Sequence, residues 1–270
     1  MPIITISRGT FSGGEELAAC LAERLGYPSV SREVLFDASE QFGISGSALQ
    51  AAMVHPPSIL ERLKRDRDRY LAFVRAALCQ HAKAGDLIYH GHAGHHLLAG
   101  IRHLIRVRVV ADIGFRIKAA MERQHMTGHE AEVYIRKVDN ERRKWTRFLY
   151  GVDWDDPANY DIVLNLEHLG LEGACDLVVR TARLEQFQVT SESREAMEDL
   201  ALSSFVVAAL ASDERTAEAD LRVQAKQGVV TVEGLVKRSE EVTSVPEVLR
   251  NVEGIVKLIN DVAYTPPYPM

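Results

Sequence analysis

A β-branched segment, a glycine-rich turn and a helix open the chain, and this arrangement limits the fold more than any other feature. Ile3 to Ser7 form the predicted strand, and the turn Gly9-Thr10-Phe11-Ser12-Gly13-Gly14 follows it. Residues 17–26 then show helical spacing of apolar positions and end on a glycine. Backbone N–H groups of such a turn, with the helix N-terminus, can hold phosphate oxygens. The opening segment therefore predicts an anion site between a strand and a helix.

The turn resembles a Walker-A loop, GxxxxGK[ST], but departs from it at the two charged positions. Gly9 and Gly14 occupy the two glycine positions. A lysine for the β- and γ-phosphates and a serine or threonine for Mg²⁺ should follow. Glu15 and Glu16 stand there instead, and two carboxylates repel a triphosphate. The loop alone thus fits either a damaged phosphate site or a turn that binds no nucleotide. The predicted cofactor-binding residues are Gly9, Thr10, Phe11, Ser12, Gly13, Gly14, Glu15 and Glu16.

Strand and helix patterns alternate through the first two-thirds of the chain. We predict further strands at 86–90, 104–110 and 161–165 and a long helix over 58–84. This alternation predicts an α/β fold, a parallel sheet with helices on both faces. The pattern breaks into Gln, Thr, Ser and charged residues around 186–196, where we place a linker.

Composition narrows the class of protein. The net charge of −6 argues against non-specific binding to nucleic acid, which needs a basic surface. No apolar run has the length of a membrane span, and the N-terminus has no signal-peptide pattern. The three cysteines, Cys20, Cys79 and Cys175, are far apart and odd in number, which favours buried thiols in the reducing cytoplasm.

Later segments make the resemblance to a known family more specific than the loop does. The segments that carry it are 3–8, 12–14 and 25–26, then 111–117, 130–131, 135–137 and 139–142, and finally 153–157 and 160–165. In this order they resemble the cytidylate-kinase-like family over about residues 1–185. The resemblance implies a fold with a P-loop kinase-type parallel sheet. It also implies an enzyme that transfers the γ-phosphoryl group of ATP to a pyrimidine nucleoside monophosphate, with ATP and Mg²⁺ as cofactors.

The resemblance also implies roles for residues in the segment that matches the family's lid. Arg116, Arg136 and Arg142 would bring positive charge to the transferring phosphoryl group, and Asp139 would orient them. The alternative for each residue is a solvated helix surface with ion pairs at (i, i+4).

Two departures fall on the expected substrate side. Ser31 precedes Arg32 where relatives have an aspartate, and His92 follows Gly91 where they have an arginine. We predict Arg32 and His92 as substrate-binding residues, with His92 near a phosphate. The cluster from His90 to His96 leaves a metal site as an alternative, but no cysteine or carboxylate cluster completes it, so we predict no metal ligands.

The C-terminal residues 197–265 resemble a BON domain, and 266–270 read as a disordered tail. The matching pieces are 228–236, 252–256 and 259–262. They predict a small α+β module in which Pro246 causes a kink or a late start of the second helix. The module carries no set of nucleophile, base and acid, so we expect it to bind a small ligand or a protein, or to serve packing or oligomerisation.

Three functions follow from these observations. The first is a cytidylate-kinase-like phosphotransferase that is weak because of Glu15 and Glu16. The second is a catalytically impaired protein that senses a nucleotide or an anion and is coupled to the BON module. The third is a scaffold without a ligand. The expected partners are a nucleotide and a ligand or protein at the BON module, with the oligomeric state open.

Overall fold

A computed structural model describes residues 1–31, 33–43, 45, 62–91 and 93–266. The side chains of Leu35, Phe36 and residues 62–67 lie outside this description. The described residues form two compact units. The first contains 1–31, 33, 84–91 and 93–190, and the second contains 34–43, 45, 62–83 and 191–266.

The first unit is built on a five-stranded parallel sheet with the strand order β2-β3-β1-β4-β5. The strands are β1 Ile3–Arg8, β2 Ser29–Val30, β3 Ile88–Tyr89, β4 Leu104–Val110 and β5 Ile162–Asn165. The central pair, β1 and β4, aligns Ile6 with Val107 and Ser7 with Arg108. The predicted α/β fold with a parallel sheet is confirmed. Parallel order brings the carboxyl ends of the strands to one edge, where the glycine-rich loop begins.

Helices cover this sheet. They are α1 Gly14–Leu25, α4 Gly94–Leu97, α5 Ile113–Gln124, α6 Gly128–Tyr150 and α7 Leu166–Ala182. One face of the sheet forms an apolar core in which Ile4, Ile6 and Val107 pack with Leu17 of α1 and Val178 of α7. These side chains are almost entirely buried. Burial of each contributes about 2 kcal/mol, so the core holds the first turn of α1 in place behind the loop.

Local signals set the ends of α5 and α6, which we call the lid. Asp112 caps α5 by accepting the N–H of Gly114. Thr127 and Glu130 form a reciprocal capping box at the start of α6. Gly151, with a φ of 68°, ends α6 in the left-handed conformation. These caps determine which turns of the two helices face the loop.

The second unit combines helices α2 Glu33–Phe42, α3 Arg62–Ala82, α8 Ser191–Ser212 and α9 Ser239–Leu249 with strands β6 Asp220–Lys226, β7 Val229–Val236 and β8 Lys257–Tyr264. Strands β6 and β7 are antiparallel, joined at Gln227 and Gly228, both at positive φ. Helix α9 then leads to β8, which pairs parallel with β7. Val230, Val232 and Val245 are buried in the apolar core between the three-stranded sheet and its helices.

Pro246 lies inside α9, which begins at Ser239, so the predicted late start of that helix is wrong. A proline has no N–H, which leaves the carbonyl four residues earlier without its helical donor. The Asn260 side chain of β8 donates to that carbonyl, Val242 O, at 2.9 Å. A side chain on the neighbouring strand therefore replaces the hydrogen bond that the proline removes.

The predicted boundaries compare with these elements as follows. Strand β4 matches its predicted range, and the described part of the long predicted helix is α3. Helix α8 begins at Ser191, inside the range predicted as a linker, because its first turn is made of polar residues such as Ser191 and Glu192. Helices α2 and α3 belong to the second unit, so the domain division at 185 stays a prediction. Residues 267–270 of the predicted tail lie outside the described residues. Within the described helices, none has both the length and the apolar character of a membrane span.

Candidate functional site

The glycine-rich loop joins β1 to α1 along a path that excludes side chains at two positions. Gly13 has a φ of 87°, and a Cβ atom on it would lie 2.7 Å from Leu166 Cδ1. A Cβ atom on Gly14 would lie 2.4 Å from Arg8 Cδ. Gly13 is also the N-cap of α1 and places no side-chain acceptor on the first-turn amides. An anion can accept hydrogen bonds from these backbone N–H groups.

Two residues inside the loop have structural contacts. The Ser12 hydroxyl donates to Gly9 O at 2.9 Å and closes the turn. Phe11 packs on the lid with Ile135, and its ring centre lies 6.2 Å from that of Tyr134. Both residues were predicted to bind a cofactor. Their side chains shape the loop and attach it to the lid.

The lid also contacts the loop through a polar group of four residues, which we call the loop–lid cluster: Thr10, Arg116, Asp139 and Arg142. Asp139 Oδ1 accepts from Thr10 N at 3.0 Å and from Thr10 Oγ1 at 2.7 Å. Arg116 pairs with the other carboxylate oxygen of Asp139 and donates from Nε to Thr10 O at 2.8 Å. Three of the four predicted catalytic residues thus meet at one loop residue.

Arg142 is partly buried and contacts neutral acceptors. Its Nη1 atom donates to Arg8 O at 3.3 Å and to Thr10 Oγ1 at 3.2 Å. No described carboxylate lies within ion-pair distance of it. Burial, and then the nearby charge of Arg8, lowers the pKa of Arg142 to about 10. The guanidinium therefore stays protonated at neutral pH, and its charge faces the loop.

The two glutamates at the start of α1 are paired with arginines. Arg8 Nη2 lies 2.6 Å from Glu15 Oε1. Glu16 forms an ion pair with Arg123 of the lid. Glu16 Oε2 is buried and accepts no hydrogen bond within the described residues. These pairs reduce the negative charge that the sequence places beside the loop.

Arg136 lies apart from the loop–lid cluster. Its side chain is 66% exposed, and it pairs with Glu132 one turn earlier on α6. It lines a cavity of about 550 Å³ on the lid. The residues lining this cavity are Ile113, Arg116, Ile135, Arg136, Lys137, Asp139, Asn140 and Arg143. The cluster and Arg136 therefore border one basic cavity from different sides.

The predicted substrate residues Arg32 and His92 lie outside the described residues. Burial lowers the pKa of His90, two positions before His92 in the sequence, and the charge of Arg8 adds to this effect. Burial also lowers the pKa of His95 to about 3 and that of His96 to about 4. Among the described residues, no group of three or more His, Cys, Asp or Glu side chains is placed to hold a metal ion.

A second polar cluster, centred on Arg108, was missed from the sequence. The Arg108 guanidinium lies 3.7 Å from the ring centre of Trp154 and 2.9 Å from Asp155 Oδ1. Trp154 Nε1 donates to Ser7 Oγ at 2.8 Å. Burial lowers the pKa of Arg108. The alternation of Arg106 and Arg108 with apolar residues in β4 is the signal that could have shown a polar sheet face.

The site combines features that bind anions. The loop supplies backbone N–H groups, and the lid supplies two guanidinium groups that contact Thr10. Asp139 supplies a carboxylate in the same place. This set can bind a phosphate chain and stabilise charge on it.

Family models and known proteins show which family the chain resembles. Residues 3–168 match the model of the cytidylate kinase-like family, and residues 198–266 match the model of the BON domain. A cytidylate kinase from Pyrobaculum aerophilum is 28% identical over 183 residues, covering 64% of this chain and 89% of the relative. One from Staphylothermus marinus is 26% identical over 181 residues, covering 66% and 94%.

The fold also occurs in a solved structure. A crystal structure of an uncharacterized protein from Eubacterium ventriosum matches with a TM-score of 0.53 at 20% identity. The match covers 67% of this chain and 98% of that one, and it supports the fold alone. The family model spans more than half of the residues, over the sheet, the loop and the lid described above. The chain therefore belongs to the cytidylate kinase-like family and carries a C-terminal BON domain.

Proposed function

We propose that this chain is a weak phosphotransferase that moves the γ-phosphoryl group of ATP to a pyrimidine nucleoside monophosphate. The observation that carries the proposal is the loop–lid cluster, in which Arg116 and Arg142 contact Thr10 of the glycine-rich loop. Phosphoryl transfer needs positioning and positive charge on the transferring group more than it needs covalent chemistry. The cluster supplies both at a loop suited to phosphate.

Arg142 is the residue best placed to stabilise the transition state. It is partly buried, it remains protonated at neutral pH, and its hydrogen bonds go to a carbonyl and a hydroxyl. Charge in a site shielded from water is worth more than the same charge in solution. We assign Arg142 to the spread negative charge of the transferring phosphoryl group, and Arg116 to its orientation.

Asp139 explains why the activity would be weak. Its carboxylate accepts the Thr10 N–H, one of the loop amides that would otherwise bind phosphate, and it pairs with Arg116. A nucleotide must displace this carboxylate or bind beside it. Either event costs part of the binding free energy, because the oxygen of one anion replaces that of another.

Glu16 is the residue of the loop that could hold Mg²⁺. Its Oε2 atom is buried and accepts no hydrogen bond among the described residues. Mg²⁺ prefers oxygen ligands, and carboxylates are common among them. When bound, the ion neutralises charge on the phosphates. Arg32 and His92 remain the proposed contacts of the nucleoside monophosphate.

A second candidate function is nucleotide or anion sensing without turnover. It is favoured by the carboxylate of Asp139 at the loop amide and by Glu15 in place of a cation. In this case the BON domain would respond to the bound state, or would bind a small ligand or protein of its own. The two candidates share a binding site and differ only in turnover.

Coupled ADP release separates them. We expect ATP and Mg²⁺ to raise the thermal midpoint of the full chain, since a ligand of the native state stabilises it. We expect slow ADP release that depends on CMP, dCMP or UMP. Binding without substrate-dependent ADP release would exclude the kinase and leave the sensor. No thermal shift with any nucleotide would exclude both.

A further inference from the structure

The cation missing after the second glycine of the loop is replaced from an unexpected position. Arg8 is the last residue of β1 and immediately precedes Gly9. Its side chain runs beside Gly14, because a Cβ atom there would lie 2.4 Å from Arg8 Cδ, 2.8 Å from Cβ and 3.1 Å from Cγ. Its guanidinium then meets Glu15 at 2.6 Å. The Arg8 charge thus lies beside the position where a phosphate-loop cation is expected.

We infer that Arg8 supplies the phosphate-binding cation that position 15 lacks, and that Glu15 positions it. This inference rests on the proposed function, because it names a further cation of the same site. Glu15 then anchors an arginine in addition to contributing negative charge. In the usual phosphate loop the cation stands on the helix after the loop. Here the cation, Arg8, stands on the strand before the loop, and its carboxylate partner, Glu15, stands on the helix after it.

Three further observations place the Arg8 guanidinium at the site. Only 19% of its side chain is exposed, so its charge is shielded from water more than a surface charge is. Its charge contributes to the lowered pKa values of His90 and Arg142. Its backbone carbonyl accepts from Arg142. Arg8 therefore lies among groups that would surround a bound phosphate chain.

The chemistry of the pair is suited to ligand exchange. Arginine has five N–H donors in a planar fork, and Nη2 of Arg8 donates to Glu15 at 2.6 Å. A planar fork can bind two oxygens side by side, so a phosphate oxygen would exchange into this fork while Glu15 holds its orientation. Bound phosphate would then contact Arg8 from the loop side and Arg142 from the lid side.

The test is a calorimetric titration of the full chain with Mg-ATP and, without metal, with inorganic tripolyphosphate. We expect Arg8→Gln to weaken both by roughly tenfold or more, as for a lost hydrogen bond between charged groups. The matched control is Arg24→Gln, an arginine at the far end of α1 that pairs with Glu172 and Asp176. It should bind within about twofold of the wild type, as expected for an exposed ion pair.

A double-mutant cycle tests the substitution itself. Glu15→Lys places a cation at the usual position, so Arg8→Gln in that background should cost less than about threefold. An equal loss in both backgrounds would mean that Arg8 does not replace the missing cation. Arg8→Lys keeps the charge, and its affinity should stay within about fivefold of that of the wild type. This variant replaces Arg8→Gln in the test if Arg8→Gln does not fold. If Arg8→Lys lost as much affinity as Arg8→Gln, the effect would come from the packing of the arginine side chain on Gly14 and not from its charge.

The outcomes also separate this inference from the function on which it rests. Wild-type binding with unchanged affinity in Arg8→Gln would overturn the role of Arg8 and leave the proposed function intact. No wild-type binding of either probe would overturn both.

Discussion

Two arginines of the first unit show how differently a protein can use the same side chain. Arg108 is buried, stacks on Trp154 and pairs with Asp155, so its charge is compensated by the fold. Arg142 is partly buried, and its hydrogen bonds go to a carbonyl and a hydroxyl at the glycine-rich loop. A buried charge without a carboxylate is costly unless something else compensates it. We attribute the Arg142 arrangement to ligand binding and the Arg108 arrangement to the polar sheet face.

The largest expected difference is in catalysis. Arg142→Gln should lower the turnover of the coupled ADP assay roughly 100- to 1,000-fold, as for removal of one group that stabilises transition-state charge. Arg108→Gln is the comparison, and its turnover per folded molecule should stay within about threefold of the wild type. Equal losses in both variants would remove the distinction between the two arginines.

The next difference is in stability, between the carboxylates of the two clusters. Asp139→Ala should lower the free energy of unfolding by about 3 kcal/mol, because it leaves the Arg116 charge buried without its partner. Asp155→Ala should cost about 1 kcal/mol or less, because the Asp155 side chain is 45% exposed and Arg108 keeps its stacking on Trp154 and its hydrogen bond to Ser7. Urea unfolding followed by tryptophan fluorescence measures this, since both tryptophans, Trp145 and Trp154, are buried in the first unit. A smaller loss for Asp139→Ala than for Asp155→Ala contradicts the account.

The next difference is in affinity for ATP, between a change of charge at the loop and the same change elsewhere on α1. Glu15→Lys is expected to tighten ATP binding about tenfold, or about 1.4 kcal/mol, because it reverses the charge beside the phosphates. Glu23→Lys, on an exposed turn of the same helix, is the control for a change in net charge. An unchanged dissociation constant for Glu15→Lys would mean that the loop is not the binding site.

The smallest expected effect concerns pH. Burial holds the pKa of His95 near 3, below its ordinary value of 6.5. The unfolded chain therefore binds more protons than the native chain between these values, and stability falls as the pH falls below about 6.5. At pH 5.5 this loss should be roughly 1 kcal/mol, and His95→Gln should remove it. His168→Gln, at an exposed site on α7, should leave the pH profile unchanged.

The parts of the fold that depend on local patterns were predictable. Strand β4 matches its predicted range because it is a short, mostly apolar run rich in valine and is buried along most of its length, as is typical of a strand inside a parallel sheet. The loop and the lid segments were also identified, and Arg116, Asp139 and Arg142 meet as expected of one site. Helix α8 was partly missed because its polar first turn looks the same as a linker in sequence.

Contacts between distant residues were not predictable. Thr10 and Asp139 are 129 positions apart, and only the packing of the lid on the loop brings them together. Glu15 was interpreted from its charge alone, whereas the strand end places Arg8 against it. Arg108 was overlooked because its partners, Trp154 and Asp155, come from a segment about fifty positions later in the chain.

The most direct test of the central claim is a calorimetric titration of ATP with Mg²⁺ into the wild-type chain and Arg142→Gln. If the loop amides and Arg142 bind a phosphate chain, the wild type should give a saturable binding heat. The affinity of Arg142→Gln should then be roughly tenfold lower. Equal affinities, or no heat from the wild type at millimolar nucleotide, would contradict it.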